Sequence, residues 1–282
     1  MNKTMRIIIL LVLISFASLL PGCANIEKNK TPYLILYAFD TEGELLAEKM
    51  TVDTTQTVLG RTVYIGQLSG QDIVLAESGV GMTNAALTAQ KMIDLFSPRG
   101  VFFSGIAGAV DTGIDIGDIV ICDRWITHDY GYYGAAGFQS NGIRYRKISS
   151  DSSYKSSFFP VDSAYLETSK RLRDYEFSFE KIAERAPKLV VSGVGVSGNS
   201  FIDNYDKRVW LSENFQALVV DMETAAVAQV CIINEVPFIG FRSASDLAGG
   251  SGSSTASVEI DQFFKVAAVN SSKVLIKFLE EI

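Results

Sequence analysis

Short uninterrupted apolar runs, each followed by a stretch of helix-forming composition, recur from Pro32 to the end of the chain. A run of that kind suits a strand covered on both faces, which is the environment of a parallel sheet with helices on either side. Residues 33–39 form the first such run, and 42–50 have the composition of a helix. The runs 61–68 and 72–76 flank Ser69-Gly70, a turn signal, and 85–96 reads as an amphipathic helix. Further strands are predicted at 100–104, 119–122, 188–192, 217–220 and 238–243, with helices at 223–233 and from about 261 to 279. The alternation predicts an α/β fold around a central, largely parallel sheet. One stretch, 129–162, breaks the rhythm: Tyr130, Tyr132, Tyr133, Tyr145 and Tyr154 stand there among glycines and serines. It reads as a long excursion of a single domain, with surface insertion and functional loop both open.

The first residues have a different character. Lys3 and Arg6 precede an apolar run, 7–20, that is too short for a comfortable membrane span and ends in Leu20-Pro21-Gly22-Cys23. This resembles a bacterial lipobox, which implies removal of residues 1–22, lipidation of Cys23 and an extracytoplasmic protein that meets the membrane through its lipid alone. Residues 23–31 would then be a short polar tether and 32–282 the folded domain. An ordinary signal anchor or a buried first strand are the alternatives.

Composition narrows the chemistry. The chain has one histidine and three isolated cysteines, Cys23, Cys122 and Cys231, with no C-x-x-C. Neither a zinc cage nor a disulfide scaffold can be built from these, so catalysis must lean on carboxylates. Cys122 and Cys231 sit in apolar runs and read as buried spacers, a disulfide between them being the other possibility. The net charge is −7, and loss of residues 1–22 makes it more negative because that segment holds two cations and no acid. No Lys/Arg cluster offers the basic stripe that nucleic-acid binding requires.

Gly193-Val194-Gly195-Val196-Ser197-Gly198 matches G-x-G-x-x-G after an apolar run. A dinucleotide site needs a helix opening at the last glycine, and Asn199-Ser200-Phe201 gives no helical start, so that reading is rejected. A Walker-type G-x-x-x-x-G-K is also missing from the sequence. More telling are Glu42, Glu223 and Asp246, acids at the ends of three separate predicted strands, where ligands of open α/β sheets collect. Each alone would be better explained as a helix cap.

Ala38-Phe39-Asp40-Thr41-Glu42, Ser78-Gly79-Val80-Gly81, Ser104-Gly105-Ile106-Ala107-Gly108, Gly117-Asp118-Ile119-Val120, Ser197-Gly198-Asn199-Ser200-Phe201-Ile202, Val220-Asp221-Met222-Glu223-Thr224-Ala225 and Arg242-Ser243-Ala244-Ser245-Asp246 follow one another in order. In that succession the chain resembles the purine nucleoside phosphorylase/nucleosidase superfamily, and most of all the 5′-methylthioadenosine/S-adenosylhomocysteine nucleosidases. The resemblance implies a three-layer α/β/α fold with a mixed, largely parallel sheet, and cleavage of the N-glycosidic bond of a purine nucleoside without metal or organic cofactor. It makes Asp246 the general acid toward purine N7, Glu223 the ribose-binding carboxylate with Met222 beneath it, and Glu42 the base that activates water, helped by Arg242. By the same likeness Phe201 stacks on the base and Ile202 reads its edge through its backbone. Ala107, Gly108 and Ser245 complete the substrate-binding set. Such chemistry needs acids, because the leaving purine is protonated while the sugar gathers positive charge.

Some residues depart from the family pattern. Ile106 stands where many relatives have a serine facing the water or phosphate, and Ile260 where the methylthioadenosine enzymes tend to have an aromatic cover. A carboxylate at 42 repels a phosphate dianion, and no Gly-Asp-Pro-x-Arg segment follows the first strand, so hydrolysis is expected over phosphorolysis. The excursion at 129–162, introduced by Trp125 and His128, is similar to that of plant vegetative storage proteins of the same superfamily. A phosphorylase and a non-catalytic nucleoside-binding or storage lipoprotein are therefore the competing expectations. His128 reads equally as a structural hydrogen-bonding residue and as a site component. Relatives often pair so that a neighbour closes the 5′ pocket, which implies a homodimer.

Overall fold

The computed structural model describes residues 31–282; the expected export segment, the lipidation position Cys23 and nearly all of the tether lie outside the described residues. Among the described residues the first elements are strand β1 (Tyr33–Tyr37) and helix α1 (Asp40–Lys49), then the antiparallel meander β2 (Thr51–Val58), β3 (Arg61–Leu68) and β4 (Gln71–Glu77). Helix α2 (Met82–Phe96) leads to the long strand β5 (Gly100–Ala109), followed by β6 (Ile119–Ile121) and β7 (Arg124–Thr127). Two hairpins, β8 (Gly131–Gly134) with β9 (Gly137–Ser140) and β10 (Ile143–Arg146) with β11 (Ser153–Ser156), fill most of the excursion. It returns through β12 (Phe159–Pro160), antiparallel to β7, into α3 (Ser163–Arg171). The remainder is β13 (Leu189–Val191), β14 (Val194–Ser197), α4 (Tyr205–Phe215), β15 (Ala217–Asp221), α5 (Thr224–Asn234), β16 (Phe238–Asp246) and α6 (Ala256–Glu280).

Twelve strands share one mixed sheet with β5 at its centre. Parallel ladders join β4, β1, β5 and β16, and likewise β7, β14 and β15. Antiparallel ladders join β15 to β5 and β16 to β6, so a single strand feeds two arms of the sheet. Every residue of β5 is buried, as the unbroken apolar run required. Its alternate side chains serve two helical layers. Phe102 packs edge-on against Phe241 and Phe278, and the Ser104 hydroxyl meets that of Ser271 on α6. Phe103 faces the other way, beneath the guanidinium of Arg242, which hydrogen-bonds Thr224 of α5. Helix α1 packs on α6 and α2 on α5.

Several elements differ from the sequence reading. Strand β5 continues to Ala109 and β16 to Asp246, so the motifs at 105–108 and 244–246 lie within the sheet. Strand β2, Thr-Val-Asp-Thr-Thr-Gln-Thr-Val, is exposed along almost its whole length at the sheet edge and carries no alternating apolar signal. Helix α4 shows little amphipathic pattern and is set by its Asn204 cap, whose side chain accepts from the Lys207 amide. After β14 the chain is irregular until Asn204, so no helix opens at Gly198 and the G-x-G-x-x-G segment is no dinucleotide turn. The excursion is two ordered hairpins rather than a bare loop. Cys122 and Cys231 are buried free thiols.

Phe102 is fully buried among the rings of Tyr33, Tyr165, Phe241 and Phe278. Phe102→Ala is expected to lower the unfolding free energy by about 3–5 kcal/mol, measured by urea denaturation.

Candidate active site

Where β1, β5, β15 and β16 end or bend, their termini enclose a cavity of about 260 Å³, just below the small-molecule range of about 300–1,000 Å³. It is lined by Glu42, Glu223 and Asp246, by Phe201, Ile202 and Met222, and by Ala107, Gly108 and Ser245. The three acids expected from separate strand ends thus meet in one place. Asp221, Phe39, Ile106, Val80 and Ile260 are also on the wall. Arg242 is not a lining residue; it is fully buried behind the carboxylates.

Neither the Glu42 nor the Glu223 side chain caps its own helix, although Glu223 occupies the N-cap position of α5. Glu42, in the first turn of α1, turns its carboxylate to the amides of Ala38 at 2.6 Å and Ile106 at 2.8 Å. Glu223 immediately precedes α5 and accepts from the amide of Gly81, 2.8 Å away, across the cavity mouth. Gly81 has φ of 94°, a left-handed backbone that suits glycine and aims this amide. Asp246 accepts from the Ala248 amide at 2.8 Å and the Ser245 hydroxyl at 2.9 Å.

Between the acids lies the guanidinium of Arg242. Its Nε is 2.9 Å from Asp221, while Nη1 stands 3.8 Å from Glu42 and Nη2 3.8 Å from Glu223. The approach depends on Gly105 in β5: a Cβ there would fall 2.1 Å from Arg242 Nη1 and 2.5 Å from Glu42 Oε1. Three carboxylates around one cation leave an excess of negative charge in a dry setting. Burial raises Glu42 above the usual carboxylate range against the pull of Arg242. Burial and then the neighbouring Asp221 push Glu223 up to about 7, and burial pushes Asp246 up to about 6. Asp246 is therefore a carboxylic acid that keeps its proton closer to neutrality than an exposed aspartate does.

The side chain of Ile106 packs in an apolar cluster with Phe39, Ile260, Phe264, Ala267 and Ala268. It offers Glu42 its backbone amide and no hydroxyl. Phe201 is half-exposed at the mouth, and Ile202 is buried. No residue of 129–162 lines this cavity. His128 lies outside it, 2% exposed, with its ring under Gly198, where a Cβ would be 2.4 Å from Nε2. Burial lowers its pKa, which favours the neutral ring, and it faces a second hollow with Asp129, Lys207 and Trp210. Among the described residues no group of His, Cys, Asp and Glu side chains could hold a metal ion. Asp221 is the residue that sequence reasoning left out of the site, although it stood in the Val220–Ala225 motif.

The raised Glu223 value has a consequence for stability. In the fold this carboxyl prefers its proton, a preference that stabilises fully below about pH 4.5 and is lost as pH rises through about 7. Glu223→Gln is thus expected to leave the thermal midpoint nearly unchanged at about pH 4. At pH 8 it should raise stability by up to about 3 kcal/mol, read by differential scanning calorimetry.

Residues 32–280 match the family model of the phosphorylase superfamily. A 5′-methylthioadenosine/S-adenosylhomocysteine nucleosidase of Haemophilus influenzae is 32% identical over 249 residues, covering 88% of this chain and 98% of the relative. The enzyme of that name from Bacillus thuringiensis is 30% identical over 255 residues, with the same coverage. Among solved structures, the Neisseria meningitidis nucleosidase in complex with methylthio-immucillin-A superposes with a TM-score of 0.74 at 29% identity, over 89% of this chain and all of that one. Futalosine hydrolase of Helicobacter pylori gives 0.73 at 26% identity, over 90% of this chain and 99% of that one.

Proposed function

The chain belongs to the phosphorylase superfamily, and from that premise we propose that it hydrolyses the N-glycosidic bond of a purine nucleoside, with 5′-methylthioadenosine as the preferred kind of substrate. The observation that carries the reading is the convergence of Glu42, Glu223 and Asp246 on one small cavity whose charged wall residues are all acids.

Asp246, shielded from water, gives its proton to purine N7, so the base leaves as a neutral species when the C1′–N9 bond breaks. Glu223 accepts hydrogen bonds from the ribose hydroxyls and its charge favours the cationic sugar of the transition state. Glu42 takes a proton from the water whose oxygen bonds C1′, giving free base and free sugar. Phe201 stacks on the purine, Ile202 contributes backbone contacts to its edge, and Met222, Ala107, Gly108 and Ser245 shape the remainder of the pocket. The reaction needs no metal or organic cofactor, since the acid, the base and the cation stabiliser are all carboxyl groups of the chain.

Water is favoured over phosphate as the nucleophile by charge. Glu42, Asp221, Glu223 and Asp246 are on the wall, and the one nearby cation, Arg242, is held behind them. A phosphate dianion would meet repulsion there and no free basic group. The same potential disfavours nucleoside monophosphates, while Phe39, Ile106 and Ile260 suit an uncharged 5′ substituent. The expected result is adenine release from methylthioadenosine in phosphate-free buffer, followed by chromatography, with adenosine monophosphate untouched. Asp246→Asn should lower kcat by about 10²- to 10⁴-fold. Turnover that requires added phosphate would make the protein a phosphorylase. A parent protein that binds nucleosides and turns none over would make it a binding or storage protein.

Two further parts of the reading concern where and how the protein works. The Lys3/Arg6, apolar and Leu20–Cys23 pattern supports a protein lipidated at Cys23 and held to the outer side of a bacterial membrane. Cys23→Ser is expected to move it from the membrane fraction to the soluble fraction on fractionation of the expressing cells. A homodimer is proposed on the likeness to paired relatives, with the exposed Phe201 and Val80 at the cavity mouth as the place for a neighbour.

A further inference from the structure

Arg242 occupies an unusual position: it lies close to two carboxylates of the cavity and hydrogen-bonds neither. Nη1 reaches the Ile106 carbonyl at 3.4 Å, and Nη2 has no hydrogen-bond partner among the described residues although it is completely buried. The guanidinium is restrained from its other end. Nε donates to Thr224 Oγ1 at 2.9 Å and is 2.9 Å from Asp221 Oδ2, and the Thr224 hydroxyl in turn donates to Asp221. Asp221 also accepts from the Ser197 hydroxyl and from the amides of Glu223 and Thr224. One carboxylate at the end of β15 therefore fixes the first turn of α5, the residue Glu223 and the arginine of β16. The Phe103 ring, 4.2 Å from the guanidinium carbon, closes the other side.

We infer that Asp221 is the positioning residue of this site: it anchors Arg242 by Nε and so keeps the guanidinium from closing onto Glu42 and Glu223. The inference rests on the hydrolase reading above for its catalytic meaning, and on distances alone for its structural one. An arginine released from Asp221 has two carboxylates 3.8 Å away to pair with. Direct pairing would favour their ionised forms and weaken Glu42 as a base and Glu223 as a partner for the sugar cation. The charged groups around that guanidinium are Glu42 from α1, Asp221 from β15, and Glu223 at the start of α5. From β5 it meets the Ile106 carbonyl and the Phe103 ring, and it fills the space that a side chain at Gly105 would take.

Asp221→Asn separates this role from plain helix capping, because asparagine caps a helix as well as aspartate and keeps the size of the side chain. The variant is expected to lose about 10- to 100-fold in kcat on methylthioadenosine, with KM altered by less than about threefold. The acid side of its kcat/KM profile should move to lower pH, so that the fraction of maximal activity kept at pH 5 rises by about threefold or more. Its crystal structure should show Arg242 within hydrogen-bond distance of Glu42 or Glu223. Asp221→Glu, which retains the charge, should keep the parental acid side whatever its kcat. An unmoved acid side in Asp221→Asn, an Arg242 left at its present separations, or an acid side displaced in Asp221→Glu overturns the inference. A parent without turnover would remove the hydrolase reading, and the position of Arg242 in Asp221→Asn crystals would still decide the anchoring.

Discussion

A buried arginine shared by three buried carboxylates is the constraint around which this molecule is arranged. Arg242 is wholly inaccessible, and Glu42, Asp221 and Glu223 are nearly so. Ions so placed are tolerated only when each finds charge or hydrogen bonds in the protein, because the cost of leaving water is several kcal/mol per ion. The fold meets that demand with backbone amides and side-chain hydroxyls: the Ala38 and Ile106 amides for Glu42, the Gly81 amide for Glu223, and hydroxyls from two elements for Asp221. Each of these donors comes from a different part of the chain. The sheet must be complete before the charges are satisfied.

That arrangement also explains why the acids of the cavity are perturbed. Burial, with the charge of Asp221 added to it, raises Glu42 and Glu223 against the pull of Arg242, and burial is the largest of the causes that raise Asp246. On the proposed hydrolase reading, these raised acids supply a proton to the purine nitrogen and negative charge to the developing sugar cation. The energetic conflict is kept to the mouth of the sheet, while the layers on either side of β5 are conventional apolar packing.

Much of this was legible in the sequence because its strongest signals are of two kinds. The continuous apolar run 33–39 and the strand candidate 100–104 marked strands covered on both faces, and small-residue motifs with single acids marked strand ends. Polar β2 and weakly amphipathic α4 gave neither signal, since an edge strand and a helix fixed by its cap need no apolar period. The acids Glu42, Glu223 and Asp246 stood out by position, but Asp221 did not. Its neighbour two residues on drew attention, and only the approach of β16 shows that Asp221 is the one in contact with Arg242. The composition of the excursion left surface insertion and functional loop both open; in the structure it keeps clear of the cavity, with Phe138 packed on Trp210 and Tyr145 on Phe159 while Tyr130, Tyr132 and Tyr133 are exposed.

The branching of the sheet at β5 bears on how the chain reaches its native state. Its ladder partners are β1 on the N-terminal side and β15 and β16 far toward the C-terminus. During synthesis the centre of the molecule therefore stays open until the last strand has left the ribosome, and the early meander must wait beside an unsatisfied edge. A chain wired in this manner assembles late and all together, and shortening it from its C-terminal end would remove the keystone instead of an appendage.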